Sequence, residues 1–417
     1  MLIKAPRGTA DILPQDSPIW RYIEKTVTET AASFGFSEIR TPVFEKTEIF
    51  QRGVGDTTDD VQKEMYTFTD KGDRSITLRP EGTASAARAY LEHAMYALPQ
   101  PVKLFYNCTC YRYEKPQAGR LREFHQFGVE VFGGADPLVD AEIIAVAATT
   151  FKNLGIEGLA LRINSIGCPD CRKKYNEALI AYLSAHKEKL CDTCNERLTK
   201  NPMRILDCKS PICKEVAEGA PHVLDFICDD CAAHFNAVQS YLTKIGIPFS
   251  IDPTIVRGLD YYSRTVFEFV STQIGAQGTV CGGGRYDGLI RQLGGDDTPG
   301  IGFAMGIERI LLVMRAQNLL PEIDASPLLY IASIGCADEA LCLTQKLREA
   351  KIYATCDLAG RSLKAQMKNA DRMGARYSLV LGETEIESGQ AELKNMESGE
   401  KHPVDIRDIP ALIKALI

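Results

Sequence analysis

The clearest indication of the fold is the segment KLFYNCTCYRYEKPQAGRLREFHQFGVEVFG, residues 103–133. The residue pattern predicts a β-strand in each half of the segment. The polar stretch between the two halves contains a proline and a glycine, which is typical of a loop. Alternate residues of a strand share a face. A strand–loop–strand hairpin would therefore place Arg112 and Glu114, together with Gln126 and Glu130 of the returning strand, on a single sheet surface.

Charged side chains on the buried face of a sheet are costly unless they pair with one another or bind a ligand. Two interpretations follow for the hairpin. Its charges form salt bridges along the edge of a sheet, or they line a binding surface.

The composition bounds the kind of protein. At roughly 150 residues per domain, 417 residues correspond to two or three domains, and 45% hydrophobic with 25% charged residues is typical of a globular protein. The net charge of −7 and the pI of about 5.6 argue against wholesale adhesion to nucleic acid. A nucleic-acid partner would therefore have to meet a local basic patch.

The hydropathy pattern does not suggest a membrane protein. The N-terminal residues lack the apolar core of a signal peptide, and the longest apolar stretch, residues 143–148, is far shorter than the ~20 residues of a membrane span. We expect a cytoplasmic, multi-domain enzyme with no membrane partner.

The segments along the chain predict two domains. The first spans residues 1–320 and is interrupted by a mostly helical insertion at residues 166–248. Residues 321–327 form a linker. Residues 328–417 alternate strands and helices, which predicts a small α/β domain with a parallel or mixed sheet.

The insertion contains eight of the fourteen cysteines as four close pairs. The pairs are Cys168/Cys171, Cys191/Cys194, Cys208/Cys213 and Cys228/Cys231. Such pairs suit tetrahedral zinc, which takes four ligands, so two sites are predicted. A helix between the first two pairs would hold them ~25 Å apart, which favours nesting, with the inner pairs at the tip of an arm and the outer pairs at its base. The alternative is a set of reduced thiols in an insertion with a small core.

Three motifs reveal a family resemblance. The hairpin resembles motif 2 of the class II aminoacyl-tRNA synthetases, with Arg112 and Glu114 in its Arg-x-Glu positions. SEIRTPVFEK, residues 37–46, predicts one short strand that carries Pro42. GFSEIRTPVFE, residues 35–45, resembles motif 1, in which Pro42 is the signature residue, and implies a homodimer. PGIGFAMGIERILLVM, residues 299–314, resembles motif 3, with Arg309 as its arginine.

Further segments narrow the resemblance to the histidyl-tRNA synthetase family. VRGLDYYSRTVFEF, residues 256–269, and GTVCGGGRYDGLI, residues 278–290, are similar to the two histidine-specific motifs, and TLRPEGTA, residues 77–84, is similar to the substrate loop. The resemblance runs end to end. It implies an α+β fold, in which helices flank an antiparallel class II sheet, followed by an anticodon-binding domain at the C-terminus.

The resemblance also implies the activity. L-histidine and ATP, bound with Mg²⁺, would form histidyl-adenylate and pyrophosphate, and histidine would then pass to the 3′-end of tRNA(His). The implied catalytic residues are Arg112, Arg257 and Arg309. The implied histidine-binding residues are Glu81, Thr83, Arg112, Gln126, Glu130, Arg257, Tyr261, Tyr262 and Tyr286. The implied ATP-binding residues are Arg112, Glu114, Arg120 and Arg309.

The last domain carries the local basic patch. Residues 346–376 include eight basic and three acidic residues, a net charge of +5. A solvated helix face is the common explanation of such a stripe, whereas the resemblance assigns this domain to the anticodon stem. The implied tRNA contacts are Arg361, Lys364, Lys368 and Arg372, with Gln117 of the motif 2 loop meeting the acceptor end.

Two other functions compete with histidine–tRNA ligation as interpretations of the sequence. A non-charging paralogue that senses histidine would usually lack the C-terminal domain and parts of the ATP and histidine motifs, which are present here. A synthetase for proline or threonine would share the C-terminal domain type, but the RGLDYYSRT segment argues against it. A dinucleotide site at GIGFAMG is disfavoured because the glycine spacing is wrong.

Overall fold

The computed structural model describes residues 2–54, 64–206, 208, 210–256, 261–274 and 278–415. The chain forms two compact units, the first ending at Pro321 and the second beginning at Glu322. Each unit has a hydrophobic core of its own.

The first unit contains strands β1 to β11. Their bounds are β1 Ser37–Glu38, β2 Phe44–Lys46, β3 Thr67–Thr69, β4 Ser75–Leu78, β5 Val102–Tyr111, β6 Glu123–Phe132, β7 Ala160–Ser165, β8 Ser250–Ile251, β9 Ser263–Val270, β10 Thr279–Arg285 and β11 Gly300–Gly306.

Helices α1 to α10 belong to the same unit. Their bounds are α1 Ser17–Ser33, α2 Thr47–Val54, α3 Thr83–Glu92, α4 Pro137–Asn153, α5 Pro169–Ala185, α6 Asp192–Lys200, α7 Pro211–Glu218, α8 Asp229–Lys244, α9 Leu289–Gln292 and α10 Ile307–Ala316. Helices α5 to α8 make up the insertion, which is helical as its sequence predicted.

The main sheet has the strand order β1-β5-β6-β11-β10-β9-β7-β8. Its six central strands are antiparallel, whereas β1 pairs with β5 and β7 pairs with β8 in parallel. The predicted antiparallel sheet is therefore confirmed at its centre, and the short edge strands make the whole sheet mixed.

The two faces of the sheet differ because side chains alternate along each strand. On β6, Phe127, Val129 and Val131 enter the large core that α1, α4, α8 and α10 cover. Gln126 and Glu130 lie on the opposite face, over which α3 and a group of tyrosines pack. The hairpin predicted from the sequence is confirmed, and Gln126 and Glu130 share the face away from the large core as predicted.

The motif 1 segment is divided between two sheets. The sequence predicted one short strand carrying Pro42, but the structure has β1 in the main sheet and β2 in a separate three-stranded sheet of order β2-β4-β3. Pro42 lies between β1 and β2, where its missing N–H interrupts no ladder of hydrogen bonds.

The second unit is an α/β domain with a mixed sheet of order β13-β12-β14-β15-β16. Strand β12 is parallel to β13 and β14, and the last three strands are antiparallel. The bounds are β12 Leu329–Ser333, α11 Ala337–Glu349, β13 Ala354–Cys356, α12 Leu363–Arg372, β14 Tyr377–Leu381, α13 Glu383–Ser388, β15 Gln390–Asn395, β16 Lys401–Asp405 and α14 Ile409–Ala415.

Candidate active site

A cavity opens on the polar face of the main sheet, above β6, β10 and β11. Its wall includes eight of the side chains that the resemblance implied, along with backbone of the glycine-rich strands. Those eight are Glu81, Thr83, Arg112, Gln126, Tyr261, Tyr262, Tyr286 and Arg309, and Glu308 lines the wall beside Arg309. The structure thus brings together, around one space, side chains that lie more than 200 positions apart in the sequence.

Glu130 lies behind this wall and is buried, with 1% of its surface exposed. Its Oε1 accepts hydrogen bonds from the hydroxyls of Thr83 (2.7 Å) and Tyr106 (2.9 Å), and its Oε2 accepts one from Tyr286. Burial raises the pKa of the Glu130 carboxyl to about 8, although the three hydroxyls stabilise its charged form and limit the rise. Two of the three, Thr83 and Tyr286, belong to the cavity wall, so their hydroxyls link Glu130 to the cavity.

A glycine makes room for Glu130. Gly302 of β11 lies directly opposite Glu130 in the ladder. A Cβ atom at residue 302 would collide with the Glu130 carboxylate and with the carbonyl oxygen of Val129. Gly282 of the glycine-rich strand β10 also lines the cavity.

The carboxylate of Glu81 lies at the start of helix α3. It accepts hydrogen bonds from the backbone N–H groups of Thr83 (2.5 Å) and Ala84 (2.9 Å), and the residue is 8% exposed. A carboxylate at a helix N-terminus stabilises the helix dipole and is itself held in place. Gln126 has a fixed position on β6, where its Oε1 faces the Cys110 thiol at 3.5 Å. Both side chains therefore present oxygen acceptors at the cavity.

Arg112 follows the first strand of the hairpin and reaches the cavity. Its guanidinium lies over the ring of Phe124, 4.1 Å from the ring centre, and its Nε lies 3.5 Å from Glu114 and donates to the carbonyl of Leu121 at 3.3 Å. Glu114 is 5% exposed and forms a two-bond pair with Arg120. Stacking on Phe124 and pairing with Glu114 orient the planar guanidinium group of Arg112. The side chain still lines the cavity, so it can contact a bound molecule.

Arg309 lies near the start of α10. It donates to the carbonyl of Thr279 (2.5 Å) and to the carbonyl of Gly119 in the hairpin loop (3.3 Å). The neighbouring Glu308 accepts from the backbone N–H of His125 (3.0 Å) and bonds its Nδ1 (2.9 Å). These contacts join α10, β10 and the hairpin loop at the end of the cavity that carries the arginines.

The remaining implied residues are not in the cavity wall that the structure describes. Arg257 lies outside the described residues. Arg120 and Glu114 form their pair behind the wall rather than in it. Gln117 is exposed in the hairpin loop, where it exchanges backbone hydrogen bonds with Arg120.

The sequence reasoning missed a buried polar network beside the cavity. Asp140 of α4, 0% exposed, accepts hydrogen bonds from Arg285 and from the His234 ring (3.0 Å), and Arg264 lies 3.2 Å from the other nitrogen of that ring. Arg285 also donates to Asp287 at 3.1 Å. Burial opposes the charge on Asp140, but the His234 and Arg285 contacts hold its pKa below the ordinary value. The indication of this network in the sequence was the carboxylate of Asp140 on the otherwise apolar face of α4.

The basic helix in the second unit matches the predicted pattern. Lys364, Lys368 and Arg372 are exposed along one side of α12, whereas Leu363 and Met367 pack against the core. Arg361, just before the helix, is ion-paired with Asp357 at 2.8 Å. The sequence did not reveal the role of Gln366, which is buried and bonds the backbone of Ser333 through both its amide oxygen and nitrogen.

The cysteine pairs gather as the nested arrangement predicted. Cys168, Cys171, Cys228 and Cys231 form one group, and Cys191, Cys194, Cys208 and Cys213 form the other. Within each group all four sulfur atoms lie within 4.8 Å of one another. These cysteines can therefore hold metal ions.

Among the described residues, no helix combines the length and apolar character needed to cross a bilayer.

The fold is that of the class II aminoacyl-tRNA synthetases. A crystal structure described as apo S. aureus histidyl-tRNA synthetase superposes with a TM-score of 0.85 at 41% identity, covering 99% of this chain and 100% of that chain. One described as an ATP phosphoribosyltransferase regulatory subunit/histidyl-tRNA synthetase from Bacillus halodurans superposes at 0.66 with 24% identity over 92% of this chain and 98% of that one. The latter similarity concerns the fold alone.

Sequence comparison defines the family. The profile for histidyl-tRNA synthetase matches residues 8–310, and the profile for an anticodon binding domain matches residues 329–416. A protein named histidine–tRNA ligase from Acetivibrio thermocellus is 56% identical over 99% of this chain and 100% of its own. One of the same name from Desulforamulus reducens is 51% identical over 100% of both. The chain belongs to the histidyl-tRNA synthetase family.

Proposed function

We propose that the protein is a histidine–tRNA ligase. A carboxylate oxygen of L-histidine attacks the α-phosphorus of Mg²⁺-bound ATP, pyrophosphate leaves, and histidyl-adenylate forms. A ribose hydroxyl at the 3′-end of tRNA(His) then attacks the histidine carbonyl, and AMP leaves. The observation that carries the proposal is a single cavity with fixed carboxylate and hydroxyl groups at one end and two oriented arginines at the other.

The arginines supply the positive charge that the first step needs. Arg112 holds the substrate carboxylate and the α-phosphate together, a task for which its planar fork is suited. Arg309 contacts the nucleotide, and Arg257 stabilises the charge that develops on the α-phosphate. Glu114 and Arg120 keep the Arg112 end of the nucleotide site in position through their ion pair.

The opposite end of the cavity recognises histidine. Glu81, Thr83 and Gln126 accept hydrogen bonds from the substrate ammonium. Glu130 and Tyr262 form hydrogen bonds with the two ring nitrogens. To do so, Glu130 gives up the hydrogen bond from Thr83 or from Tyr286 and accepts one from the imidazole N–H instead. Tyr261 and Tyr286 shape the walls of the pocket. A site whose buried polar groups fit the substrate rejects analogues lacking those groups by ~10⁴-fold.

Pyrophosphate exchange with each of the twenty amino acids tests the proposal. We expect exchange with histidine alone, because only an imidazole satisfies Glu130 and Tyr262 together. Exchange with another amino acid instead, or with none, would contradict the proposal. A non-charging sensor would bind histidine in equilibrium dialysis without catalysing exchange, so the same two assays distinguish it.

The domain boundaries belong to the proposal. Residues 1–320 are the catalytic domain, with the insertion at 166–248, followed by a linker at 321–327. Residues 328–417 bind the anticodon stem through Arg361, Lys364, Lys368 and Arg372, while Gln117 meets the acceptor end. The reaction takes place in the cytoplasm, where ATP and tRNA are present.

We also propose that the protein is a homodimer through the motif 1 region. Phe44 of β2 and Phe68 of β3 share a face of the three-stranded sheet, because their partners on β4 are two residues apart. They are 57% and 47% exposed, and Val43 beside them is 42% exposed. Light scattering coupled to gel filtration should give twice the chain mass, and F44E should shift it toward the monomer. A wild-type monomer would contradict the proposal.

A further inference from the structure

We propose that the insertion holds two zinc ions with separate tasks. The ion at the base, bound by Cys168, Cys171, Cys228 and Cys231, braces the histidine end of the catalytic cavity. The ion at the tip, bound by Cys191, Cys194, Cys208 and Cys213, stabilises the arm itself. The division of tasks rests on the proposed activation of histidine, whereas the two metal sites do not.

The sulfur geometry suits a tetrahedral ion. Four sulfurs at a Zn–S distance of about 2.3 Å are about 3.8 Å apart. The Cys168 and Cys171 sulfurs are 3.4 Å apart, and those of Cys191 and Cys208 are 3.9 Å apart. None of these thiols is joined in a disulfide. Little movement is therefore needed to close each group around one ion.

The backbone around the sulfurs favours thiolates. Cys168, Cys191 and Cys228 occupy the N-cap positions of α5, α6 and α8. The second cysteine of each of these pairs is the third residue of the same helix, where the helix dipole favours negative charge. Cys213 is likewise the third residue of α7. Because this placement of the second cysteine recurs in all four pairs, it indicates metal ligands rather than ordinary core residues.

Backbone N–H groups also cross between the pairs. The N–H of Cys228 donates to the Cys171 sulfur at 3.1 Å, and the N–H of Cys191 donates to the Cys213 sulfur at 3.3 Å. Such bonds orient sulfur ligands and stabilise their charge when a metal is bound. Each group is thus linked across its two pairs in the same way.

The tip group is part of the core of the arm. The buried residues there form a small cluster that includes Cys194 and Cys213 alongside Tyr175, Leu179 and Leu183. A core of this size contributes little stability alone, and small folds of this kind usually need a metal or disulfides. Zinc at the tip would therefore contribute to folding of the arm.

The base group is next to the catalytic strands. Cys168 follows Gly167, whose carbonyl accepts the N–H of Arg264 at 2.9 Å, and Arg264 contacts His234 of α8 at 3.2 Å. Helix α8 begins at the base cysteine pair, and Cys168 and Tyr261 line a common cavity. Tyr261 also lines the catalytic cavity. A metal at the base would therefore fix the segment that delivers Tyr261 and Tyr262.

Metal analysis of protein purified without chelator tests the two sites. We expect two zinc ions per chain, one in the tip variant C194S/C213S, one in the base variant C171S/C231S, and two in the control C342S, which changes an exposed cysteine of the second unit. Iron in place of zinc, fewer than two ions in the wild type, or disulfides found by mass spectrometry would overturn the assignment.

Kinetics test the division of tasks. In pyrophosphate exchange the base variant should raise the KM for histidine by about tenfold with little change in the KM for ATP. The tip variant should leave both within about twofold and lower the melting temperature. An unchanged histidine KM in the base variant would overturn the division of tasks. If either variant fails to fold, the wild-type protein is produced in cells grown with cobalt. Its spectrum must then show the ligand-field bands of two Co²⁺ ions, each bound tetrahedrally by cysteine thiolates, and the absence of these bands overturns the two sites.

Discussion

The candidate active-site cavity and the basic face of α12 hold their positively charged side chains in opposite ways. In the cavity, Arg112 and Arg309 are held by a phenyl ring, a carboxylate and backbone carbonyls. On α12, Lys364 and Lys368 are exposed. Charges with fixed positions act strongly at short range, whereas exposed charges are screened by salt and act additively. The contrast predicts large, salt-independent effects in the cavity and small, salt-dependent effects on α12.

The largest effect is expected from R112K. Lysine keeps the charge but lacks the planar fork that stacks on Phe124 and can bind two oxygens at once. The kcat of histidine-dependent pyrophosphate exchange should fall by about 10²- to 10³-fold at every salt concentration. The control R52K changes an arginine whose side chain is 58% exposed on α2. Equal reductions in the two variants would contradict the assigned role of Arg112.

The next effect is expected from E130Q, which keeps the size of the side chain but cannot take up the negative charge that a bound imidazole N–H would stabilise. Losing a hydrogen bond to a charged group costs about 1.5–3 kcal/mol, so the KM for histidine should rise by about 10- to 100-fold while the KM for ATP stays near that of the wild type. E123Q, on the same strand outside the cavity, is the matched control. A parallel rise in both KM values would show that Glu130 only supports the fold.

The same residue predicts a pH dependence of stability. The pKa of Glu130 is about 8 in the folded protein, against 4.5 for an ordinary glutamate. Between pH 4.5 and pH 8 the Glu130 carboxyl is protonated in the folded chain but ionised in the unfolded chain. The contribution of this proton to stability is therefore complete below about pH 4.5 and disappears as the pH rises through 8. The free energy of unfolding in urea should fall by up to about 1.4 kcal/mol per pH unit because of this group. E130Q should lack that slope; an unchanged slope contradicts the assignment.

The smallest effects are expected on α12. Changing Lys364, Lys368 and Arg372 together to glutamine should lower the kcat/KM for tRNA charging by about three- to tenfold at low salt and leave pyrophosphate exchange unchanged. The slope of log kcat/KM against log salt should become shallower by about 1 for each tRNA phosphate that the variant no longer neutralises.

A matched triple variant controls for the change in net charge. It changes Lys401, Arg407 and Lys414, which are exposed elsewhere in the second unit, to glutamine. Its charging should match the wild type. If charging falls equally in both triple variants, net charge rather than the α12 face is responsible.

Periodicity and motif spacing predicted much of the fold. The alternation along residues 103–133 predicted both strands of the hairpin and the shared face of Gln126 and Glu130, since strand geometry is local. The helix between Cys171 and Cys191 predicted the nested cysteine groups for the same reason. The division of the motif 1 segment at Pro42 was missed, because the two short strands belong to different sheets and their pairing is not local.

The buried network around Asp140 could not be predicted. Its members come from α4, α8, β9 and β10, and a single sequence carries no information about which distant charges meet. The same holds for the hydroxyl groups that surround Glu130. Tyr106 was not among the expected site residues, although it lies opposite Gly128 in the hairpin and donates to Glu130.

The most direct test is a crystal structure of the protein with ATP and histidinol, whose alcohol cannot be adenylated. The proposed roles predict the imidazole ring within hydrogen-bond distance of Glu130 and Tyr262, and the α-phosphate contacting Arg112. An imidazole outside this cavity, or an α-phosphate with no contact to Arg112, would contradict them.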